Sequence, residues 1–352
     1  MDWFRQSRTR ADIRRGTTNN QISSDPLATP DFFPMKIDAE RNTILFVQMS
    51  RESFRQSSFL DRRAFRAGRT TLLAPIPKLL TRRAERMTHY ILHGAFCGST
   101  LLGRYLEELP HCFVLKEPGV LSQLSQLRNN TPGVGEPDAW GDWFRVTLAL
   151  LARAYPSDVT VIIKVPDLCN WMGNLLLDHE ERTKVVFLFS PLRVFLLQIL
   201  KVEHRRRWLR EHMQQLRRPM TQVPFLSELV AADLTDDQCA AVMWLLNSFL
   251  CSSLLARPDS HRVLVLNGEK LISDPNECVL SVTDFLNLIN DDTDRTALEM
   301  LRPLSYHSKD ADLPYDAATR AVELADAVSS GWLSKVHSPS SSSLAHPQAS
   351  YV

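Results

Sequence analysis

The feature that most constrains this chain is the segment "HYILHGAFCGSTLLGRYL" at residues 89–106. A short apolar run, 90–93, leads into a loop of small residues, 94–98. Leu101, Leu102, Tyr105, Leu106 and Leu109 then recur at helical spacing until Pro110 stops them. A strand, a tight turn and a helix in that order aim backbone N–H groups at one point. The helix dipole adds partial positive charge there, so the turn suits a phosphate. Gly98 lets the backbone approach an anion closely, and Ser99 and Thr100 offer hydroxyl donors. Serine opening a helix is also an ordinary N-cap, so the loop alone names no ligand. No lysine precedes Ser99, unlike the nucleotide triphosphatase pattern G-x-x-x-x-G-K-[ST]. ATP hydrolysis, or phosphate transfer from ATP to a small molecule, is therefore disfavoured.

The alternation continues downstream. Strands are expected at 43–47, 159–163, 184–189 and 262–267, and helices at 167–179, 191–200, 203–218, 236–255 and 275–288. Strands separated by helices define an α/β protein, here a P-loop-type three-layer fold with a mainly parallel central sheet and helices on both faces. One domain over 41–336 accommodates this pattern. Residues 1–40 are polar and aperiodic and are expected to form a disordered N-terminal extension. The Ser/Pro-rich stretch 337–352 reads as a flexible tail.

Composition narrows the partners. A formal net charge of +1 gives no global attraction for nucleic acid, so any anion site must arise from local clustering. The six cysteines are scattered, without a Cys-x-x-Cys pair or zinc-like spacing to histidines. They read as reduced thiols in a reducing compartment, and no metal is expected. The basic N-terminus lacks the apolar core of a secretory signal. The apolar run 185–200 is interrupted by Pro191 and Arg193 and falls short of the roughly 20 residues that cross a bilayer. The expectation is a soluble cytoplasmic protein without a membrane span or a nucleic-acid partner; its oligomeric state is not legible.

The residues "AFCGSTLL" and the later "VLVLNGEKLISDPNECVLSVTDFLNL" resemble the sulfotransferases over roughly residues 40–330. The loop is similar to that of a bacterial-type group, and the layout is also similar to the protein-tyrosine sulfotransferases. The resemblance implies the donor substrate 3′-phosphoadenosine 5′-phosphosulfate (PAPS), a hydroxyl or amine acceptor and no metal. It places Ala95, Phe96, Cys97, Gly98, Ser99 and Thr100 around the donor. Glu117, in "VLKEPGVL", stands where the family has a base, and Lys164, in "VIIKVPDLCN", where it has a cation for the transferring sulfuryl group. Lys116 is an alternative cation. Ser190 and Arg193 are the candidates for the donor's 3′-phosphate, and His307 and Lys309 fall in a late loop that often closes over the nucleotide.

These roles make physical sense, because sulfuryl transfer needs a fixed anion site, positive charge at the bridging oxygen and an acceptor for a proton. Lys164 ends a strand, where open α/β sheets bind ligands. Glu117 beside Pro118 can equally be an acid that favours a helix start. The arginines between Arg205 and Arg218 read as a solvated face or as a lid over a polyanion, and Trp208 and Trp244 as core. Two departures stand out: Phe96 replaces the loop's basic residue, and Ser190 and Gln198 replace an Arg and a Ser that bind the 3′-phosphate. The alternative expectation is thus a non-catalytic nucleotide-binding or scaffold protein on the same fold.

Overall fold

The computed structural model describes residues 26–65, 68–84, 86–130 and 139–289, with Thr296 and short pieces at 306–307 and 310–314. The central sheet contains β4 (Met87–His93), β5 (Cys112–Lys116), β6 (Thr160–Lys164), β7 (Val185–Phe189) and β8 (Val263–Asn267). It is five-stranded and parallel, in the order β5-β6-β4-β7-β8. A smaller antiparallel sheet joins β1 (Phe32–Asp38), β2 (Thr43–Gln48) and β3 (Thr71–Pro75). A separate pair, β9 (Tyr306–His307) and β10 (Asp310–Pro314), lies late in the chain.

The helices are α1 (Arg51–Gln56), α2 (Ser99–Leu106), α3 (Gly119–Asn130), α4 (Ala139–Leu151), α5 (Gly173–His179), α6 (Leu192–Leu200), α7 (Glu203–Thr221), α8 (Pro224–Ser227), α9 (Asp236–Leu255), α10 (Gly268–Ser273) and α11 (Pro275–Leu286). Alternation along the parallel strands splits the core by face. Ile91, Val114, Ile162 and Val186 pack with residues of α2 and α11. Leu92, Phe113, Val161 and Phe187 face the opposite way, toward α4 and the small sheet. Helices α6, α7 and α9 build a third cluster around Phe195, Leu209 and Met243. The sheet is apolar on both faces because both are covered, as a parallel sheet requires.

The expected disordered extension is corrected where its last residues form β1. Phe33 pairs with Val47 and Ile37 with Ile44, and all four side chains are buried. A bulge between Pro34 and Lys36 breaks the two-residue period, which is why the strand is invisible to pattern reading. Arg153, itself 1% exposed, ties this segment down: its guanidinium donates to the carbonyls of Leu27, Thr29 and Phe32. Residues 1–25 and the tail at 337–352 lie outside the described residues.

The helix α9, not the run at 185–200, is long and apolar enough to cross a membrane by length and composition. Here it packs on α6 and α7 through Ala240, Met243 and Leu246. All six cysteines are free thiols, and no metal-binding cluster occurs among the described residues.

Topology positions the site. From β4 the chain crosses to the edge strand β5, returns inward to β6, and then builds β7 and β8 on the other side. Direction reverses around β4, so its C-terminal end, flanked by β6 and β7, is where an open α/β sheet leaves a crevice.

Candidate functional site

The loop after β4 is held from both sides. Gly94 N–H donates to the Leu188 carbonyl at 2.9 Å, extending the pairing of β4 with β7. Gly98 has φ 85° and serves as the N-cap of α2, with its carbonyl accepting from Leu102 N–H at 3.1 Å. That backbone state is cheap only for glycine. Phe96 has φ 61°, unusual for an aromatic residue. The first N–H groups of α2 have no partner within the helix, and the buried Ser99 and Thr100 flank them.

Lys164, the last residue of β6, is 1% exposed and reaches this turn from the neighbouring strand. Its Nζ donates to Thr100 Oγ1 at 3.0 Å and to Glu117 Oε1 at 2.5 Å. Glu117 follows β5 at the same edge, and its N–H donates to the Lys164 carbonyl at 2.8 Å. Its φ is 52° although it is not glycine and it precedes Pro118. Such a backbone persists only where its surroundings over-determine it, and this kind of strain gathers at functional sites. His93 Nε2, at the end of β4, lies 3.6 Å from the same Oε1. Sequence reading names Glu117, Lys164 and Thr100, and the structure links Glu117 and Thr100 through Lys164 Nζ.

Lys116, the alternative cation, is corrected. Register pairs it with Lys164 across β5 and β6, and parallel partners share a face, so both lysines point toward α2. They meet opposite ends of it. Lys116 Nζ is bound by the Glu107 carboxylate and donates to the Arg55 carbonyl at 3.0 Å. Burial draws its pKa down to about 8, against the pull of Glu107. It is completely enclosed there and does not reach Glu117.

Helix α7 lines the other side of the loop. Arg205, Trp208 and His212 are spaced i, i+3 and i+7, which places them on one face. Phe96 meets Trp208 edge-on at 5.2 Å, the Arg205 guanidinium lies 4.6 Å from the Phe96 ring centre, and Trp208 meets His212 at 3.8 Å with the rings tilted by 37°. His212 Nε2 in turn lies 3.6 Å from Asp167 Oδ1, just beyond β6. Burial pushes the Asp167 carboxyl up, but His212 and then His93 outweigh that and hold it below the usual carboxylate range. Trp208 is therefore a wall of the loop and not merely core. Trp244, also expected in the core, donates to the Ser190 carbonyl at 2.9 Å.

Ser190 directly follows β7, is 3% exposed, and its hydroxyl has no hydrogen-bond partner among the described residues. Arg193 sits exposed in the first turn of α6, without a polar partner among the described residues. Gln198 is buried, and its Oε1 accepts from Arg205 at 3.0 Å. His307 lies in β9, and Lys309 falls outside the described residues. His93, Asp167 and His212 were not singled out from the sequence, and Arg205 was named only as one arginine of a solvated face or lid. The one available signal was the helical spacing of Arg205, Trp208 and His212 within a run otherwise read as a solvated face.

The arrangement offers backbone donors and a buried ammonium at a point where a phosphate or sulfate fits. Beside them is a carboxylate that reaches partial exposure, with its side chain 17% accessible.

No known family matches the sequence, and no curated protein matches it. The structure is similar to solved sulfotransferases. One from Alicyclobacillus acidocaldarius is 14% identical with a TM-score of 0.38, over 70% of this chain and 95% of that one. The sulfotransferase domain of the curacin biosynthetic pathway is 15% identical with a TM-score of 0.39, over 70% and 99%. A mouse sulfotransferase complexed with PAP is 11% identical with a TM-score of 0.31, over 64% and 67%. At such values the likeness assigns no role to any residue.

Proposed function

We propose that this chain binds PAPS and transfers its sulfuryl group to a hydroxyl or amine acceptor. The observation that carries the reading is Lys164, whose Nζ bridges the Thr100 hydroxyl at the anion loop and the Glu117 carboxylate. It joins a place for the donor's charge to a place for the acceptor's proton. The residues suit the group: α2 presents its first N–H groups, Gly98 allows close approach, and Ser190 keeps a buried hydroxyl without a partner among the described residues.

In this reading Ala95, Phe96, Cys97, Gly98, Ser99 and Thr100 surround the phosphosulfate, with Ser190 and Arg193 toward the 3′-phosphate. The acceptor oxygen or nitrogen forms a bond to sulfur as the bond from sulfur to the bridging oxygen breaks. Lys164 turns to the departing oxygen, and Glu117, released from it, takes the acceptor's proton. Adenosine 3′,5′-bisphosphate and the sulfated acceptor leave. Fixed charge and positioning supply the catalysis, as in phosphoryl transfer.

The test is thermal unfolding during titration with adenosine 3′,5′-bisphosphate, with ATP and AMP as controls. A native-state ligand at 100 times its dissociation constant adds about 2.7 kcal/mol of apparent stability. A shift specific to the bisphosphate is expected, followed by turnover of PAPS that Glu117→Gln and Lys164→Met abolish. Full turnover in both variants overturns the assignment of roles. A second reading, a nucleotide-binding or scaffold protein without turnover, is favoured by Phe96, whose ring packs on Trp208 where a cation would be needed. Sulfated product from any acceptor eliminates it.

A further inference from the structure

The loop carries no basic side chain, yet a guanidinium stands against it. Arg205 is half-buried on α7, and its Cζ lies 4.6 Å from the centre of the Phe96 ring. Its Nη1 donates to the Gln198 carbonyl at 2.6 Å and to Gln198 Oε1 at 3.0 Å, which fixes the plane of the group. Phe96 is turned toward α7 by its left-handed backbone and is braced edge-on by Trp208. One turn further, the pairing of His212 with Asp167 anchors α7 to the segment after β6.

Three of the other five α7 arginines are committed elsewhere, and Arg217 is exposed. Arg206 donates to the Leu200 carbonyl, Arg210 pairs with Asp236 and Glu203, and Arg218 is bound to the Arg128 carbonyl. Arg207 is exposed, about 200° around the helix from Arg205. A second observation points to a ligand at the same place. Gly94 N–H at the start of the loop donates to the Leu188 carbonyl, and two residues beyond Leu188 the buried Ser190 hydroxyl has no partner among the described residues.

Resting on the reading above, we propose that Arg205 is the loop's missing cation. Seated on the Phe96 ring, it contacts the phosphate or phosphosulfate held by residues 94–98. Phe96 is then a platform for the charge rather than a loss of it. A guanidinium suits this arrangement because it stacks on an aromatic face while its edge donates to an oxyanion.

The test uses the full chain and two probes, adenosine 3′,5′-bisphosphate and inorganic pyrophosphate, with binding read by calorimetry. Each variant's unliganded melting temperature and circular dichroism serve as the folding check. Arg205→Gln is expected to weaken both probes roughly 10- to 100-fold, the worth of one charge-assisted hydrogen bond. Arg207→Gln is expected to leave binding unchanged. Phe96→Leu, which keeps apolar bulk but removes the ring face, is expected to lose roughly 3- to 30-fold. Arg205→Gln in the Phe96→Leu background should add less than it does alone, because the two act as one unit.

The outcomes separate the two claims. If wild type binds the bisphosphate and folded Arg205→Gln binds it equally well, the role of Arg205 is overturned and the donor reading stands. If wild type binds pyrophosphate but not the bisphosphate, and Arg205→Gln loses pyrophosphate, the role stands and the nucleotide donor fails. If wild type binds neither, both fall. Should Arg205→Gln not fold, Phe96→Leu carries the decision: unchanged binding overturns the role.

Discussion

A β-carbon added to Gly268 would lie 2.1 Å from the carbonyl oxygen of Cys97. The anion loop therefore rests directly on the first residue of α10, backbone against backbone, and nothing flexible lies between them.

Gly268→Ala should force the loop to move. We expect a loss of roughly 1–3 kcal/mol, typical of overpacking against groups that cannot give way, together with weakened anion binding. Urea unfolding and bisphosphate titration check both. Unchanged stability and affinity would show that α10 does not set the loop.

The Lys164–Glu117 pair should be strongly non-additive. Lys164 is almost fully enclosed, so Glu117→Ala leaves an ammonium without its counter-charge and is expected to cost about 3 kcal/mol. Adding Lys164→Met to that variant should restore part of the loss. A double-mutant cycle by urea denaturation reads the coupling, and purely additive effects would mean that the contact contributes no net interaction.

His89 predicts an acid limb. Burial first, and Lys184 second, lower its pKa from 6.5 to about 4, partly opposed by its hydrogen bond to Leu286. The folded state thus favours the neutral ring. Its contribution is complete above the unfolded value near 6.5 and is lost as pH falls from there toward 4, by about 3 kcal/mol in all. His89→Asn should flatten the stability profile across that window, and a profile as steep as wild type would assign the acid limb to other groups.

Arg153 predicts a local opening. Arg153→Met removes a donor from the carbonyls of Leu27, Thr29 and Phe32, of which Leu27 keeps only Arg82. Limited proteolysis should then cut near residues 26–32 well before the rest of the chain, at a cost of roughly 1–3 kcal/mol per buried group left unsatisfied. Protection equal to wild type would show that β1 holds the segment alone.

Much of the parallel core was legible because buried strands and amphipathic helices leave periodic traces. β4, its loop and α2 follow from "HYILHGAFCGSTLLGRYL", and β6 through β8 from short β-branched runs. Strand β5 was missed although Glu117 was not, because "CFVLK" is too short and too uniformly apolar to declare a period. The destination of Lys116 was illegible for a different reason. It depends on which residue of β6 stands opposite, and register across a parallel crossover leaves no local mark. The α7 face was hidden by composition, since the arginines that pair with acids or carbonyls elsewhere look the same in sequence as the one that sits on Phe96.

Glu117 sets two demands against each other. At φ 52° the backbone favours glycine or asparagine, while Lys164 requires a carboxylate that reaches 2.5 Å from its Nζ. A replacement that relaxes the chain strands the lysine, and aspartate keeps the charge but is one methylene shorter. No single change satisfies both, so this corner can be abandoned only by changing residues 117 and 164 together, and a chain that alters one of them alone passes through a less stable intermediate.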